Sequence, residues 1–359
     1  MSKTNLYTIG LTELLEQESR LYAGLYIARV SVQHKHLYKV ITEEGEMTAE
    51  VSGKLVFTVQ DKSDYPTVGD WVMVDRTCDT AGHLIINVIL QRSSMLERKA
   101  AGTAQERQLI AANIDTIFIC MSLNNDFNLR RLERYLAIAW DSMAIPVIIL
   151  TKADLCPNLS EKLSELRPTA PGVDILVTSS LSKEGYVEIS KYIDVGKTVA
   201  FIGSSGVGKS TLINRLAGTE VFVTKEIDQY DKGRHTTTQR QLIVLPMGGV
   251  VIDTPGMREL QLETADLSKA FADIEQLAQN CRFDDCSHQN EPGCAIKTAI
   301  QTGTLLIERL ISYQKLQAEL TYQGMSSRQL EQVKAKRMFG SLGGMKEASR
   351  SIKEKNKRR

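Results

Sequence analysis

The chain has 359 residues, of which 42% are hydrophobic and 24% are charged, and its formal net charge is +1. This composition is typical of globular proteins, and the length favours two or three domains. No apolar run approaches the about 20 residues that a membrane-spanning helix needs, and the N-terminus lacks the pattern of a signal peptide, so we expect a cytoplasmic protein.

The first part of the chain is predicted to consist mainly of β-strands. Residues 1–20 form an N-terminal extension, and residues 21–100 contain short apolar segments separated by turns. Such a series predicts a small β-barrel of the oligonucleotide-binding (OB) type. Its strands are predicted at residues 24–30, 37–41, 48–51, 54–57, 71–74 and 84–89.

From residue 105 to 262 the pattern alternates between strands and helices, which predicts a doubly wound α/β domain. Its strands are predicted at residues 114–120, 146–150, 173–177, 197–202, 241–245 and 249–252, with helices at 129–144 and 209–217. Ligands bind beyond the carboxyl ends of the strands in such a domain, and every motif described next follows a strand end.

The first motif, Thr151-Lys152-Ala153-Asp154, follows the strand at 146–150 and resembles the N-K-x-D signature of guanine-nucleotide-binding proteins. A carboxylate at Asp154 would accept hydrogen bonds from N1–H and the exocyclic amine of guanine. The stem of Lys152 would pack along the base. Thr151 stands where the signature has asparagine, which removes an amide and leaves the strength of guanine binding open.

A second motif, Thr178-Ser179-Ser180, follows the strand at 173–177 and resembles the S-A-x loop of the same proteins. In that loop a backbone N–H group meets O6 of guanine. We therefore assign Thr178 and Ser179 to the base-binding side of the predicted nucleotide site.

The third motif matches the phosphate-loop pattern G-x-x-x-x-G-K-[ST] and joins a predicted strand to a predicted helix, the context that such a loop requires. Its glycines let backbone N–H groups approach phosphate oxygens at a helix N-terminus. Lys209 is predicted to reach the β- and γ-phosphates, and the Ser210 hydroxyl to bind Mg²⁺. The predicted nucleotide-binding residues here are Gly203, Ser204, Ser205, Gly206, Val207, Gly208, Lys209, Ser210 and Thr211.

Two further segments have the composition of nucleotide switches. The sequence Gly-Arg-His-Thr-Thr-Thr at 233–238 offers a threonine for Mg²⁺ and the γ-phosphate, and we assign Thr237, with Thr236 as the alternative. The strand at 249–252 ends in a D-x-x-G pattern. Its Asp253 would hold Mg²⁺ through water, and the Gly256 N–H would contact the γ-phosphate.

The residue that follows this pattern is Met257, at the position where Ras-like enzymes carry a glutamine that orients water. Methionine can neither orient nor deprotonate water. His235, just before the switch threonines, is the nearest candidate for that catalytic role. The alternative is that His235 simply packs the loop.

The C-terminal part begins with a predicted helical module at 263–330, with helices at 265–280 and 297–320. Three thiols and one imidazole occur close together in this module, at Cys281, Cys286, His288 and Cys294. A closed set of four such ligands is the pattern of a structural Zn²⁺ site, and we expect one zinc ion to stabilise a module with little core of its own.

A basic tail at 331–359 completes the chain. From Lys334 onward it carries ten basic and two acidic residues, so the rest of the protein is mildly acidic. This distribution suggests contact with a polyanion, and a solvated, disordered end is the alternative.

The order of the motifs is itself informative. The base-binding motifs precede the phosphate loop, whereas Ras-like GTPases carry them last, so the sequence predicts a circularly permuted GTPase. With its barrel and its Cys/His cluster, nearly the whole chain closely resembles the ribosome small-subunit-dependent GTPase A family (RsgA/YjeQ). Permutation also places the second switch directly before the C-terminal module, so loss of the γ-phosphate could move that module.

This resemblance implies a GTP hydrolase that is stimulated by the small ribosomal subunit and acts late in its maturation. It also implies binding of 16S rRNA, zinc at the Cys/His cluster, Mg²⁺ with GTP and a catalytic role for His235. A monomer is expected. Two alternatives remain open: a slow, nucleotide-gated RNA-binding placeholder, which Met257 favours, and a permuted GTPase that serves the large subunit.

Overall fold

The structure is a computed structural model, and several predicted residues lie outside the part of the chain that it describes. They are the switch residues His235, Thr236, Thr237 and Gly256 and the basic tail 331–359. Within the described part, no helix is long and apolar enough to cross a membrane. The described residues are 3–34, 37–78, 80, 82–99, 107–124, 126–179, 185–219, 240–246, 248–254, 267–289 and 291–321.

The N-terminal segment packs against the rest of the molecule. A 3-10 turn at Leu6–Ile9 precedes helix α1 (Glu13–Ser19), and Leu6 and Ile9 are buried. The guanidinium of Arg29, itself buried, donates hydrogen bonds to the carbonyls of Ile9, Gly69 and Asn113. Arg29 thus joins this segment to Gly69 of the predicted barrel and to Asn113 of the predicted α/β domain.

Five strands close into a barrel, as predicted. They are β1 (Tyr26–Gln33), β2 (Tyr38–Thr42), β3 (Gly45–Val51), β4 (Trp71–Val74) and β5 (Leu84–Ile89). The hydrogen-bonded order is β1-β2-β3-β5-β4, and β4 pairs with β1 to complete the closure. Only β3 and β5 run parallel among these pairs.

The strand predicted at 54–57 is wrong. This segment belongs to helix α2 (Gly53–Thr58), which lies between β3 and β4. Its Leu-Val-Phe residues have a high strand propensity, but the hydroxyl of Ser52 accepts a hydrogen bond from the Leu55 N–H and caps the first helical turn. The cap and the local chain path therefore decide the conformation here.

Two further strands follow the barrel, and residue 100, where the predicted barrel ends, lies between them in sequence. The two strands are β6 (Met95–Lys99) and β7 (Arg107–Ala112), which pair antiparallel with each other.

The α/β layer that follows has the predicted alternation of elements, and its strand ends lie within two residues of the predictions. The strands are β8 (Thr116–Ser122), β9 (Ile145–Thr151), β10 (Asp174–Val177), β11 (Thr198–Gly203), β12 (Gln241–Val244) and β13 (Val250–Asp253). The helices are α3 (Leu129–Asp141), α4 (Leu159–Leu166), α5 (Tyr186–Ser190) and α6 (Lys209–Ala217). The strand order is β10-β9-β8-β11-β13-β12, parallel except for β12.

The barrel and the α/β layer share one sheet. Strand β1 pairs antiparallel with β12 at Val32 and Gln241, so eleven strands of the described residues are continuous. The barrel therefore covers the β12 edge of the α/β layer.

The C-terminal part consists of helices α7 (Leu267–Ala270), α8 (Ala272–Ala278), α9 (Ala295–Gln301) and α10 (Ile307–Thr321). The single helices predicted at 265–280 and 297–320 are therefore each broken in two. At the second break Gly303 has a φ of +75°. The hydroxyls of Thr302 and Thr304 bond to the Ala299 carbonyl, which satisfies the end of α9.

Candidate nucleotide-binding site and metal centre

The phosphate-loop motif joins β11 to α6, at the carboxyl edge of the sheet. Gly203 ends β11 with a φ of +140°, and a Cβ atom there would lie 2.2 Å from the carbonyl oxygen of Cys120 on the neighbouring strand β8. Gly208 caps α6 with a φ of +99°. Both positions require glycine, because other residues are strained at these angles.

Lys209 and Asp253 lie next to this loop. The Lys209 ammonium is buried and donates to the carbonyls of Gly203 at 2.7 Å and Ser204 at 2.6 Å. Asp253 ends β13 in register with Phe201 of β11. Burial raises the pKa of the Asp253 carboxyl to about 6, although the Lys209 charge opposes this shift. The D-x-x-G strand end and the phosphate-loop lysine therefore share one electrostatic environment.

Thr151 connects the base motif to the phosphate loop. It is the last residue of β9, is 5% exposed, and its hydroxyl donates to the Val207 carbonyl at 2.5 Å. The next residue, Lys152, has a left-handed backbone with a φ of +59° and precedes the short 3-10 turn that carries Asp154. The threonine that departs from the N-K-x-D signature is therefore a direct link between two motifs.

The two base-binding loops are also joined to each other. The Ser179 hydroxyl donates to the Asp154 carboxylate at 2.5 Å. The Ala153 N–H donates to the Thr178 carbonyl at 3.2 Å, and the Thr178 N–H donates to the Leu150 carbonyl at 2.8 Å. Ser179 thus fixes the orientation of the Asp154 side chain.

Helix α3 supplies two contacts to the phosphate loop that sequence reasoning missed. The Arg131 guanidinium donates to the Ser204 hydroxyl at 2.6 Å, and the Tyr135 hydroxyl also hydrogen-bonds with Ser204. Their four-residue spacing places both on one face of α3. No local motif marks them, because the contact joins α3 to a loop far along the chain.

The predicted metal ligands converge. Within the part of the chain that the structure describes, the ligand atoms of Cys281, Cys286, His288 and Cys294 all lie within 4.8 Å of one another. Cys281 Sγ lies 4.0 Å from Cys294 Sγ, and His288 Nδ1 lies 3.7 Å and 3.6 Å from these sulfurs. Tetrahedral Zn²⁺ with ordinary bond lengths needs about 3.8 Å between two sulfurs and about 3.6 Å between sulfur and nitrogen. The donor set fits a zinc ion.

Two thiols of this cluster differ in acidity. Partial burial opposes ionisation of the Cys281 thiol, but hydrogen bonds from the Ala295 and Ile296 N–H groups and from Cys286 and Cys294 together lower its pKa, whereas burial raises the pKa of the Cys286 thiol to about 11. His288 has a left-handed φ of +61°, a conformation in which histidine, asparagine and aspartate are enriched among residues other than glycine. Glu291 accepts from the Ser287 and Gln289 N–H groups, a loop contact that the ligand spacing did not predict.

The described site residues therefore fall into two groups. The phosphate loop, the Asp154 and Ser179 loops and the Asp253 strand end lie together at one edge of the sheet, and the Cys/His cluster lies in the C-terminal helical part. Permuted motif order on this sheet defines a circularly permuted P-loop GTPase fold.

Comparison with known proteins gives the family. The model of the RsgA GTPase family matches residues 89–263. The small ribosomal subunit biogenesis GTPase RsgA 2 of Lactiplantibacillus plantarum is 52% identical over 95% of this chain and 97% of its own length. The small ribosomal subunit biogenesis GTPase RsgA of Methanosarcina acetivorans is 46% identical over 88% of this chain and 85% of its own. The chain belongs to the RsgA GTPase family.

Two solved structures have a similar fold. YjeQ from Thermotoga maritima superposes with a TM-score of 0.63 at 26% identity, over 84% of this chain and all of that one. YloQ, described as a circularly permuted GTPase, has the same fold with a TM-score of 0.59 at 24% identity, over 85% of this chain and 98% of its own.

Proposed function

We propose that this protein hydrolyses GTP to GDP and phosphate, that the small ribosomal subunit stimulates the reaction, and that it acts late in maturation of that subunit. The observation that carries the nucleotide part is the Thr151–Val207 hydrogen bond, which joins the base motif and the phosphate loop into one site. The ribosomal part is supported by the names of relatives that match along nearly the whole chain.

In this proposal the described residues bind and orient the nucleotide. Asp154, held by Ser179, accepts hydrogen bonds from guanine, and the phosphate-loop backbone from Gly203 to Thr211 surrounds the phosphates. Lys209 exchanges its carbonyl partners for phosphate oxygens. Its positive charge stabilises the negative charge that develops as the terminal bond breaks.

Magnesium belongs to the same site. The Ser210 hydroxyl and Thr237, with Thr236 as the alternative, would hold the ion, and Asp253 would hold it through water. Bound there, Mg²⁺ would supply positive charge against the negative charge of the phosphates. The Gly256 N–H would contact the γ-phosphate from the other switch.

We assign orientation of the attacking water to His235, since Met257 cannot perform it. Exchange of His235 for alanine should lower subunit-stimulated turnover by about 10²-fold or more while GDP affinity stays unchanged. Stimulated turnover at the wild-type rate would refute the catalytic role of His235.

Partner binding is assigned to the barrel and the basic tail. Lysine and arginine contacts to 16S rRNA phosphates would make the affinity for the small subunit fall steeply with salt. The zinc ion holds the C-terminal helices, and the protein acts as a monomer. Because it acts on ribosomal subunits in this proposal, we expect the protein in the cytoplasm.

The decisive experiment is GTP hydrolysis titrated with purified small and large ribosomal subunits, with Lys209→Ala as the inactive control. We expect saturable stimulation by the small subunit alone. Stimulation by the large subunit alone, or binding of GTP without turnover under any condition, would replace the proposal with one of the two alternatives. If ATP competed for binding as well as GTP does, the assignment of a guanine nucleotide would be overturned.

A further inference from the structure

Helix α3 holds the start of the phosphate loop through one side chain. The Arg131 guanidinium lies between the Ser204 hydroxyl, at 2.6 Å, and the Asp126 carboxylate, which accepts a hydrogen bond from the same nitrogen. One turn further along α3, the Tyr135 hydroxyl meets the same Ser204 side chain. Ser204 is 9% exposed, whereas the Arg131 side chain is 36% exposed, so water reaches one side of these contacts.

Ser204 is a point where the loop can be fixed. It directly follows Gly203, and its carbonyl also accepts a hydrogen bond from Lys209. A glycine-rich loop has many accessible backbone conformations, and each must be given up when its N–H groups align on a phosphate. An anchor at the second residue reduces that loss before the nucleotide arrives.

The helix that carries Arg131 is itself held firmly. Its N-terminus is capped by Asn128, whose side chain accepts from the Arg131 N–H at 3.0 Å. On another side of α3, Glu133 is 1% exposed and pairs with Arg309 of α10 at 3.1 Å. Arg134 makes a two-pronged pair with Glu319 of α10. Arg131 therefore extends from a helix that is fixed against the C-terminal part.

We propose that Arg131 is a positioning residue of the nucleotide site, which acts through the Ser204 hydroxyl to hold the phosphate loop in its binding conformation. The inference rests on the proposed function, because it requires a guanine nucleotide in the loop. The loop surrounds phosphates that GDP and GTP share. Loss of the Arg131–Ser204 contact should therefore weaken the binding of GDP and of GTP by the same factor and leave kcat nearly unchanged.

The test compares Arg131→Gln, Ser204→Ala and the double variant in the full-length protein, by calorimetric GDP binding and by steady-state GTP turnover with small subunits. Because Arg131 is partly exposed, we expect each single variant to bind GDP about 3- to 10-fold more weakly and to raise KM for GTP equally. If Arg131 acts through Ser204, the double variant should bind GDP with the same affinity as the single variant that binds GDP less tightly. Arg131→Lys should restore part of the affinity.

Arg130→Gln is the matched control, because Arg130 lies on the same helical turn and pairs with Glu133 instead of the loop. It should bind GDP as the wild type does. Additive losses in the double variant, wild-type GDP affinity of Arg131→Gln, or a loss confined to kcat would each overturn the proposal. In those cases the wild type still turns over GTP and the proposed function stands, whereas a wild type that binds no guanine nucleotide would overturn both.

Discussion

The hydrogen bond from Thr151 to Val207 gives the most direct test of the assembled site. Thr151→Val keeps the buried volume and the branched shape but removes the hydroxyl, which leaves the Val207 carbonyl without this donor. Thr151→Ser keeps the hydroxyl and loses a methyl group. The two variants therefore separate the hydrogen bond from the packing.

The expected effect follows from burial. Thr151 is 5% exposed, so water does not readily replace the lost donor. A buried acceptor left unsatisfied costs about 1–3 kcal/mol. The bond joins the base-binding and phosphate-binding parts, so most of this loss should appear in nucleotide binding. Since about 1.4 kcal/mol is a factor of ten, GDP affinity should fall about 5- to 100-fold.

Calorimetric GDP titration measures the affinity, and urea unfolding without nucleotide measures any part of the loss that falls on folding. Thr151→Ser should remain within about threefold of the wild type, in line with the loss of one methyl group. If Thr151→Val binds GDP and unfolds like the wild type, the bond does not hold the two parts together. If Thr151→Ser is the weaker of the two, packing and not the hydroxyl is responsible.

Three other predictions concern base selection, the C-terminal contact and the metal. Asp154→Asn removes the acceptor for the guanine N1–H and amine, so GDP affinity should fall at least about tenfold. The affinity for xanthosine diphosphate, which has a carbonyl in place of the amine, should rise. An unchanged preference in competition binding would refute the role of Asp154. Arg309→Met removes the charge-assisted hydrogen bonds to Asp273 and to the buried Glu133, which keeps Arg130 as a partner. The free energy of unfolding in urea should fall by about 3–5 kcal/mol, and a loss below about 1 kcal/mol would contradict the reasoning. Atomic emission should find one zinc per chain, and Cys286→Ser should reduce it and lower the melting temperature; full zinc content in that variant would remove Cys286 from the ligand set.

Much of the fold was predictable because its central strands are fully buried. Strands β8 and β11 are continuous apolar runs bounded by turns, and such runs identify buried parallel strands. The errors occur where local chemistry competes with propensity. Ser52 caps a helix in a segment whose side chains favour strands, and Gly303 interrupts an otherwise helical pattern. Hydrophobic periodicity depends on the apolar side chains of a whole segment, so one serine or glycine does not change the element that it predicts.

The candidate site was predictable where its residues form local motifs. The phosphate loop and the Asp154 motif each carry their spacing within a few residues, and the strand order brings them together. Arg131 and Glu291 escape such reasoning. Arg131 reaches a loop that is distant in sequence, and Glu291 binds backbone N–H groups, a contact that no side-chain pattern encodes.

The pairing of β1 with β12 has a consequence for fragments of this protein. A fragment without the barrel would expose the outer edge of β12 at Gln241 to solvent. An uncovered sheet edge offers unpaired N–H and C=O groups to any other chain and promotes self-association. The isolated α/β layer should therefore aggregate, and loss of the barrel would impair solubility before it impaired catalysis.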